Sequence, residues 1–222
     1  MKKYFEEFKL TEVQKTFYKP PKVETAEKWR KQAPPEFEFT VKAWQVITHP
    51  PSSPTHRKAG ITMKNCGFFK PTKEVFEGWE KTRDIARALD AKIILFQTPA
   101  SFEENEENVK NMIEFFSSIE REFIFVWEPR GWSEDKVKEV CEELDLVHCV
   151  DPFVAKPLYG DIVYLRLHGS EGKKMYSYKY TSEDLQWLKE FCLNFDKDVY
   201  VLFNNVHMHD DALKFMEILQ ES

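Results

Sequence analysis

Glycine is scarce in this chain, which has only seven glycines among its 222 residues. This scarcity leaves little room for a glycine-rich phosphate-binding loop, and none of that pattern occurs in the sequence. The sequence also lacks a Gly-x-Ser-x-Gly nucleophile elbow and the ligand spacings of zinc-binding motifs. The short motifs that would mark a nucleotide-binding protein, a serine hydrolase or a zinc protein are therefore absent.

Cysteines are few and widely spaced, and no two of them form a Cys-x-x-Cys pair. The four are Cys66, Cys141, Cys149 and Cys192. Because no signal peptide precedes them, we expect reduced thiols in a cytoplasmic protein. No apolar run reaches the roughly 18 residues that a transmembrane helix requires. The sequence therefore predicts a soluble protein that has no membrane partner.

The chain has no block of basic residues to offset its acidic balance. It contains 38 Asp and Glu residues against 32 Lys and Arg residues, which gives a formal net charge of -6. This balance disfavours non-specific binding to nucleic acid, because the phosphate backbone attracts a concentrated positive surface. Nucleic-acid processing would need a basic groove, and the candidates for it are the loop residues Arg57, Lys58, Lys64 and Lys70.

Short apolar runs alternate with amphipathic segments along the chain. The runs are rich in aromatic and β-branched residues, and most of them are nearly continuous, as expected for parallel strands that are covered on both faces. We predict seven strands, at residues 10–17, 37–44, 92–97, 123–128, 147–151, 162–168 and 199–205.

Apolar stripes at helical spacing predict helices between these strands. We place them at residues 73–90, 105–119, 134–144 and 182–195, with a last helix from about Asp210 to Leu219. Thr72, Ser133 and either Thr181 or Ser182 are suited to cap three of them. The link over 152–161 is too short for a helix, and 50–71 is the longest irregular loop.

Alternation of strands and helices predicts an α/β fold with a parallel sheet and right-handed crossovers. We expect one domain over residues 1–222, with the architecture of a TIM-barrel-like parallel (β/α) barrel. Seven strands are one fewer than a standard barrel has, so we expect a seven-stranded or incompletely closed barrel.

Each of the predicted strands carries at least one polar residue, and barrels of this kind have their sites at the C-terminal ends of the strands. Alternation along a strand places Glu12, Gln14 and Thr16 on one face, and Arg166 and His168 on another. A polar face in an apolar sheet costs free energy unless its groups find partners, which a shared pocket would supply. The full set is Glu12, Gln14, Thr16, Lys42, Gln97, Glu128, Asp151, Arg166, His168, Asn204 and Asn205.

Structural roles compete with functional ones at several of these positions. Asn204, Asn205 and Asp151 are each as well suited to capping a turn or a helix as to a functional role. Glu128 and Arg130, in WEPRGW, also fit a structural ion pair at a Pro-Gly turn. Neither interpretation is excluded by the sequence.

Lys42 and His168 carry the same ambiguity. Lys42 follows a run that reads as buried, so it is suited to binding an anion or acting as a base. His168 precedes a glycine that allows a tight turn, where an imidazole would serve structure or catalysis equally well. The stretch HMHD over 207–210 has two histidines but no further ligands at metal-binding spacing, so we interpret it as a loop with Asp210 as a helix cap and predict no metal there.

Five motifs in order along the chain resemble the YecE-like family, a domain of unknown function with a TIM-barrel fold. They are FEFTVKAWQVITH (37–49), ILFQTPASF (94–102), WEPRGW (127–132), VYLRLHG (163–169) and VYVLFNN (199–205). TEVQKTFY (11–18) is similar to the family's first block, and a matching Pro-x-x-x-Thr-x-x-x-Trp helix passes through Thr25 and Trp29. The similarity covers nearly the whole chain.

This resemblance implies a barrel with a polar pocket, but it implies no established reaction. The residues that it picks out are Glu12, Lys42, His49, Gln97, Glu128, Arg130, Arg166, His168, Asn204 and Asn205. Family members usually begin with a strand carrying a Gly-Thr-Ser-Gly-Trp-like motif, and the chain starts after it. Gln14 and Lys15 also replace the Asn and Ser that are usual in the first block. We therefore expect either a seven-stranded barrel or a chain whose start lies further upstream.

Our first functional hypothesis is an enzyme that acts on a small anionic metabolite, phosphorylated or carboxylated, at the C-terminal face of the barrel. Lys42, Arg130 and Arg166 would hold the anion. Glu128 or His168 would do the acid–base work. Gln97, Asn204 and Asn205 would orient the substrate, and Glu12 and His49 would be further substrate-binding residues.

The main alternative is a barrel that binds an anion or a partner without catalysis. The open edge of such a barrel would be covered by a partner or by a second copy, because unpaired strands at 10–17 and 199–205 invite pairing. The sequence identifies no cofactor. A divalent-metal version would draw on Glu12, Glu128, Asp151 and His168, but no ligand spacing supports it.

Overall fold

The computed structural model describes residues 2–169 and 175–220, and the chain divides into two compact units. The first unit ends at Leu146 and the second begins at Val147. The prediction of a single domain over 1–222 stays a prediction. Among the described residues, no helix combines the length and the apolar character needed to cross a membrane.

The first unit contains four strands and eight helices among its described residues. The strands are β1 (Leu10–Val13), β2 (Glu38–Lys42), β3 (Ile93–Gln97) and β4 (Ile124–Glu128). The helices are α1 (Lys2–Glu7), α2 (Lys15–Tyr18), α3 (Val23–Gln32), α4 (Gln45–Thr48), α5 (Pro54–Ala59), α6 (Lys73–Ala88), α7 (Glu106–Ser117) and α8 (Glu134–Leu144).

The second unit contains three strands and two helices among its described residues. The strands are β5 (Val147–Val150), β6 (Val163–Leu167) and β7 (Val199–Phe203), and the helices are α9 (Ser182–Leu193) and α10 (Met208–Gln220). A short 3₁₀ turn spans Met175–Ser177. β5 pairs with β6 and β6 with β7, both in parallel.

The four strands of the first unit are parallel and pair in sequence order. Glu12 is opposite Thr40, Lys42 is opposite Leu95, and Gln97 is opposite Glu128. Residues opposite each other in register share a face of the sheet, and residues two apart on a strand share it as well. Glu12, Lys42, Gln97 and Glu128 therefore lie on one face, which we call the polar face.

The opposite face of this sheet is covered by α6 and α7 through aromatic packing. Phe96 on β3 lies 5.2 Å from Phe116 and 5.6 Å from Phe125 between ring centroids, both edge-on. Trp79 on α6 packs edge-on against Phe125 at 5.5 Å. Edge-to-face pairs of this kind add to the stability that their buried area supplies. The rings on α6, α7 and the sheet thus form the core.

The second unit builds its core on one face of its own sheet. Leu165 and Leu167 on β6 are fully buried and pack in one cluster with Leu185 and Leu188 of α9 and with Phe215 of α10. Alternation along β6 then directs Tyr164 and Arg166 to the other face. Tyr164 stacks there on Tyr200 of β7 with 5.9 Å between ring centroids.

Most of the predicted elements are confirmed. Every strand after the first follows its predicted run to within two residues at each end. The Thr72, Ser133 and Thr181 side chains accept hydrogen bonds from the backbone N–H groups of Val75, Lys136 and Asp184, as expected for N-caps. Thr181 and Asp184 complete a capping box, which satisfies two otherwise unpaired donors.

The predicted strand over 10–17 is wrong in its second half. β1 ends at Val13, and Gln14 takes a helical backbone conformation with φ −71° and ψ −26°. α2 then buries Thr16 and Phe17, and the Thr16 hydroxyl lies 2.6 Å from the carbonyl oxygens of Val13 and Lys42. The chain turns here and does not continue the strand, because the turn buries the Phe17 ring and gives the Thr16 hydroxyl hydrogen-bond partners. Thr16 is consequently not a strand-end residue.

The predicted irregular loop over 50–71 contains a helix, α5. Ser53 caps it by accepting from the Thr55 N–H, and Pro54 occupies its first turn, where a proline loses no hydrogen bond. Gly60 ends it in the left-handed conformation. These cap and stop residues were present in the sequence and mark a short helix.

A second left-handed stretch follows, at residues 67–69. Gly67 has φ +85°, and its N–H donates to the Val46 carbonyl at 2.7 Å. The next two residues, Phe68 and Phe69, also have positive φ, and Phe69 is completely buried. A Cβ atom at Gly67 would lie 2.2 Å from the His49 carbonyl oxygen, so the backbone there has no space for a side chain.

We predict that Gly67→Ala destabilises the protein much more than Gly60→Ala does. Both glycines are left-handed, so alanine costs about 1 kcal/mol at either site from backbone strain. Only Gly67 adds a collision with a neighbouring backbone, which should bring its loss above ~3 kcal/mol. Urea unfolding at neutral pH measures both values. Equal losses would contradict the backbone contact between Gly67 and His49.

Candidate functional site

Lys42 is a buried lysine at the C-terminal end of β2, only 6% exposed. Its Nζ donates to Gln97 Oε1 at 2.5 Å and lies 4.2 Å from the centroid of the Phe17 ring. The ammonium is therefore held between a neutral amide and an aromatic face, an arrangement that favours a cation through the ring quadrupole.

Gln97, at the end of β3, joins Lys42 to Glu128 at the end of β4. Its amide Nε2 donates to Glu128 Oε1 at 2.9 Å. Arg130 Nη2 lies 3.4 Å from the same carboxylate oxygen. We call these four residues, Lys42, Gln97, Glu128 and Arg130, the Lys42 cluster. Since an ammonium only donates and a carboxylate only accepts, the amide has one orientation that satisfies both.

The Glu128 backbone is fixed by the residues around it. Thr98 N–H donates to the Glu128 carbonyl at 3.1 Å, and the Trp127 indole N–H donates to the Thr98 hydroxyl at 3.2 Å. The Glu128 residue is 6% exposed. The carboxylate is thus carried on rigid structure, with little freedom to leave the cluster.

His49 lies beside this cluster, after α4. Its ring is 4.9 Å from the Phe17 ring between centroids, and its Nδ1 is 2.8 Å from the Thr48 hydroxyl. Burial, followed by the positive charges of Lys42, His56 and Arg130, lowers the pKa of His49 to about 3. The imidazole is therefore neutral at physiological pH, and its surroundings are electropositive.

Glu12, the residue before the end of β1, lies on the same polar face and is half-buried. Gln14 Nε2 donates to Glu12 Oε1, so the predicted pair of residues is in contact even though Gln14 has left the strand. The first unit thereby brings together the predicted residues Lys42, Gln97, Glu128 and Arg130, with His49 beside them and Glu12 on the same sheet face.

The second unit brings together Asp151, Arg166 and His168 at the ends of β5 and β6, which we call the Asp151 cluster. Asp151 Oδ2 accepts from the His168 backbone N–H at 2.8 Å and lies 3.7 Å from His168 Nδ1. Its other oxygen accepts from the Phe153 N–H at 3.1 Å. Arg166 is fully buried, two residues before His168 on the same face of β6. Asp151 therefore both shapes a turn and contacts a histidine.

The two asparagines after β7 have different surroundings. The Asn204 backbone N–H donates to the Leu167 carbonyl at 2.8 Å and continues the pairing of β7 with β6. Asn205 is 1% exposed, and its Nδ2 donates to the Tyr178 carbonyl and to Asp211 Oδ2, both at 2.7 Å. This geometry supports the structural alternative for Asn205, whose amide joins β7 to α10.

The HMHD stretch does not form the predicted loop. α10 begins at Met208, so His209 and Asp210 lie in its first turn and Asp210 is not the cap. His209 Nδ1 lies 3.5 Å from Asp210 Oδ1 at the surface. Within residues 2–169 and 175–220, no group of three or more His, Cys, Asp or Glu side chains is placed to hold a metal ion.

Two residues beside the Lys42 cluster were missed at the level of sequence. Phe17 supplies the ring under the Lys42 ammonium, and Thr48 contacts His49. Phe17 was assigned to a strand, where an apolar residue signals only burial. Thr48 directly precedes His49 in the sequence, and this adjacency of a hydroxyl and an imidazole is the signal that could have predicted their contact.

Solved structures share the fold of this chain. Endonuclease IV from Thermus thermophilus is 11% identical, and the match covers all of this chain and 94% of the endonuclease chain, with a TM-score of 0.59. At this identity the likeness shows the fold alone. The protein is therefore an α/β protein of the TIM-barrel-like class, as predicted.

The chain belongs to the family described as "Protein of unknown function DUF72", whose model matches residues 1–222. YecE-like is a name of this family, so the resemblance seen in the motifs is confirmed. The UPF0759 protein YunF of Bacillus subtilis is 24% identical over 257 residues, covering 98% of this chain and 84% of YunF. A solved DUF72 family protein from Enterococcus faecalis is 19% identical, and the match covers all of this chain and 93% of the Enterococcus chain, with a TM-score of 0.77.

We predict that His49 makes the protein less stable in acid. Because its pKa is lower in the folded than in the unfolded state, the unfolded chain binds the extra proton between pH 6.5 and about 3, and stability falls as the pH drops through that window. The loss from pH 7 to pH 5 should be about 2 kcal/mol. His49→Gln should remove this part of the slope in urea unfolding. The surface variant His209→Gln should keep it, and an unchanged slope in His49→Gln would contradict the prediction.

Proposed function

We propose that the Lys42 cluster binds the anionic group of a small phosphorylated or carboxylated metabolite, and that Glu128 serves as its general acid–base group. One observation carries the proposal. Two cationic side chains are linked to one buried carboxylate at the ends of β2, β3 and β4: Arg130 contacts Glu128 directly, and Lys42 is joined to it through the Gln97 amide.

The electrostatics of His49 support an anion site. Lys42 and Arg130 both act to lower the pKa of His49, so both cations reach the same small region. Positive charge with little exposure to water interacts with an anion more strongly than the same charge at the surface. Bonds between a charged donor and a phosphate or carboxylate are also the shorter and stronger kind.

The placement of Glu128 supports acid–base chemistry. A carboxylate that exchanges a proton with a substrate must be held within hydrogen-bond reach of it, and Gln97 and Arg130 hold this one. A purely structural Glu128–Arg130 pair would have the same contact at rest. The two interpretations differ in what happens to turnover when Glu128 is changed.

His168 remains the second catalytic candidate, in the other unit. Its Nδ1 lies 3.7 Å from Asp151 Oδ2, a distance at which the carboxylate attracts a protonated imidazole without a direct hydrogen bond, and Arg166 is buried on the same face of β6. The proposed role of the Asp151 cluster is acid–base work on the same class of substrate. The alternative without catalysis is anion binding by these residues alone.

We predict that Lys42→Met weakens anion binding by about 10- to 100-fold. Losing one hydrogen bond to a charged group costs about 1.5–3 kcal/mol, and 1.4 kcal/mol corresponds to tenfold in affinity. A thermal-shift screen with phosphorylated and carboxylated metabolites finds a ligand, since binding to the native state raises the melting temperature. Isothermal titration then compares the wild type with Lys42→Met. Lys110→Met, an exposed lysine on α7, is the matched control and should bind as the wild type does.

Loss of affinity in both lysine variants, or in neither, would contradict the proposal. Glu128→Gln then separates the enzyme from the binding protein, because an enzyme keeps ligand affinity and loses turnover. Affinity for a DNA oligonucleotide that falls steeply with salt, in place of metabolite binding, would move the assignment to nucleic acid.

A further inference from the structure

We propose that Lys42 forms a covalent Schiff base with a carbonyl group of the anionic ligand, an inference that rests on the proposed function of the Lys42 cluster. The ligand class would then be narrower than small anions in general. It would consist of α-keto acids and of phosphorylated aldehydes or ketones, which carry an anionic group and an electrophilic carbon in one small molecule.

The burial of Lys42 distinguishes it from a lysine that serves as a surface charge. Its side chain is held on a strand, with Nζ fixed by Gln97 Oε1 and by the Phe17 ring, and the residue is 6% exposed. Burial penalises the charged ammonium and so opposes the stabilisation that the Phe17 ring and the Glu128 carboxylate give to the cation. The free amine is the form that attacks a carbonyl carbon.

A neighbouring cation acts in the same direction. Lys42 and Arg130 both lower the pKa of His49, which places the two positive groups in one environment. A second cation beside a desolvated lysine favours the neutral amine and is one of the ways in which proteins activate lysine as a nucleophile. The Arg130 guanidinium can also hold the carboxylate or phosphate of the ligand.

Glu128 supplies the proton transfers that imine formation requires. Glu128, a carboxylate at rest, first takes a proton from the Lys42 ammonium. The resulting amine attacks the carbonyl carbon, and the new C–N bond forms as the carbonyl oxygen takes that proton from the Glu128 carboxylic acid. The nitrogen then returns a proton to Glu128, which gives a neutral carbinolamine. Glu128 next protonates the hydroxyl, water leaves, and the nitrogen lone pair closes the C=N bond. The products are a protonated imine, one water and a Glu128 carboxylate, with no oxidant or reductant consumed.

Gln97 has a defined place in this chemistry. Its amide lies between the nucleophile and the acid, bonded to Lys42 through Oε1 and to Glu128 through Nε2. It thereby holds the amine and the carboxyl group on the same side of the sheet, with β3 between the strands that carry them. Gln97 is thus a positioning residue.

The test is reductive trapping of the imine on the full-length protein. The protein is incubated with pyruvate or with dihydroxyacetone phosphate in the presence of sodium borohydride, which converts an imine into a stable secondary amine. Intact-protein mass spectrometry measures adduct formation, and peptide mapping locates it. We expect one adduct per chain with at least one of the two probes, on the peptide containing Lys42.

Matched controls isolate the carbonyl and the lysine. Lactate and glycerol 3-phosphate carry the same anionic groups without a carbonyl, so they should give no adduct. Lys42→Arg keeps the positive charge but forms no stable imine, so labelling should fall to the level of an unrelated surface lysine. Circular dichroism of this variant checks that it is folded. If it does not fold, peptide mapping of the wild-type protein still locates the adduct.

The outcomes separate the Schiff base from the anion site. Binding of the probes by calorimetry without an adduct on Lys42 would overturn the Schiff base and leave the anion site in place. Adducts spread evenly over exposed lysines would overturn it as well. Absence of any binding by these probes or by their carbonyl-free analogues, together with no adduct, would overturn both the Schiff base and the proposed function.

Discussion

The hydrogen bonds of the Gln97 amide hold together the strand ends of the first unit. A lysine and a glutamate buried side by side would each be costly to desolvate, and a direct ion pair would recover only part of that cost. The amide accepts from one and donates to the other, so both charged groups keep a partner and a fixed position. The polar face of the sheet is stable because β2, β3 and β4 each contribute one member of this hydrogen-bonded series.

Packing on the opposite face of the same sheet fixes the positions of the strands that carry this hydrogen-bonded series. Phe96, Phe116, Phe125 and Trp79 pack in edge-on and tilted pairs between the strands and the helices, and their contacts leave the strands little freedom to slide. A fixed register is what places Gln97 opposite Glu128. The precision of the polar side thus depends on the rigidity of the apolar side, as is general for sites that are built on packed elements.

Sequence reasoning found most of the fold because strand and helix periodicities are strong local signals. It placed six strands, three N-caps and the residues of the Lys42 cluster. It failed where tertiary contacts decide: the chain turns after Val13 to bury Phe17, although alternation continues through residue 17. The capping role that sequence left open for Asn205 needed Asp211 and Tyr178, whose proximity no local pattern reveals. Neutrality of His49 arises from burial among cations, which is also a property of the folded state alone.

Alternation in the strands has a consequence for how this sequence can change over time. Along β3, Phe96 faces the helices and Gln97 faces the polar side, so adjacent residues lie on opposite faces and need opposite side-chain chemistry. A single-residue insertion or deletion within β3 or β4 would exchange these roles, driving an amide into the aromatic core and a ring toward the charged groups. Length variation should therefore accumulate in the connections, such as the stretch between β5 and β6, while the strands keep their length and change only by substitution.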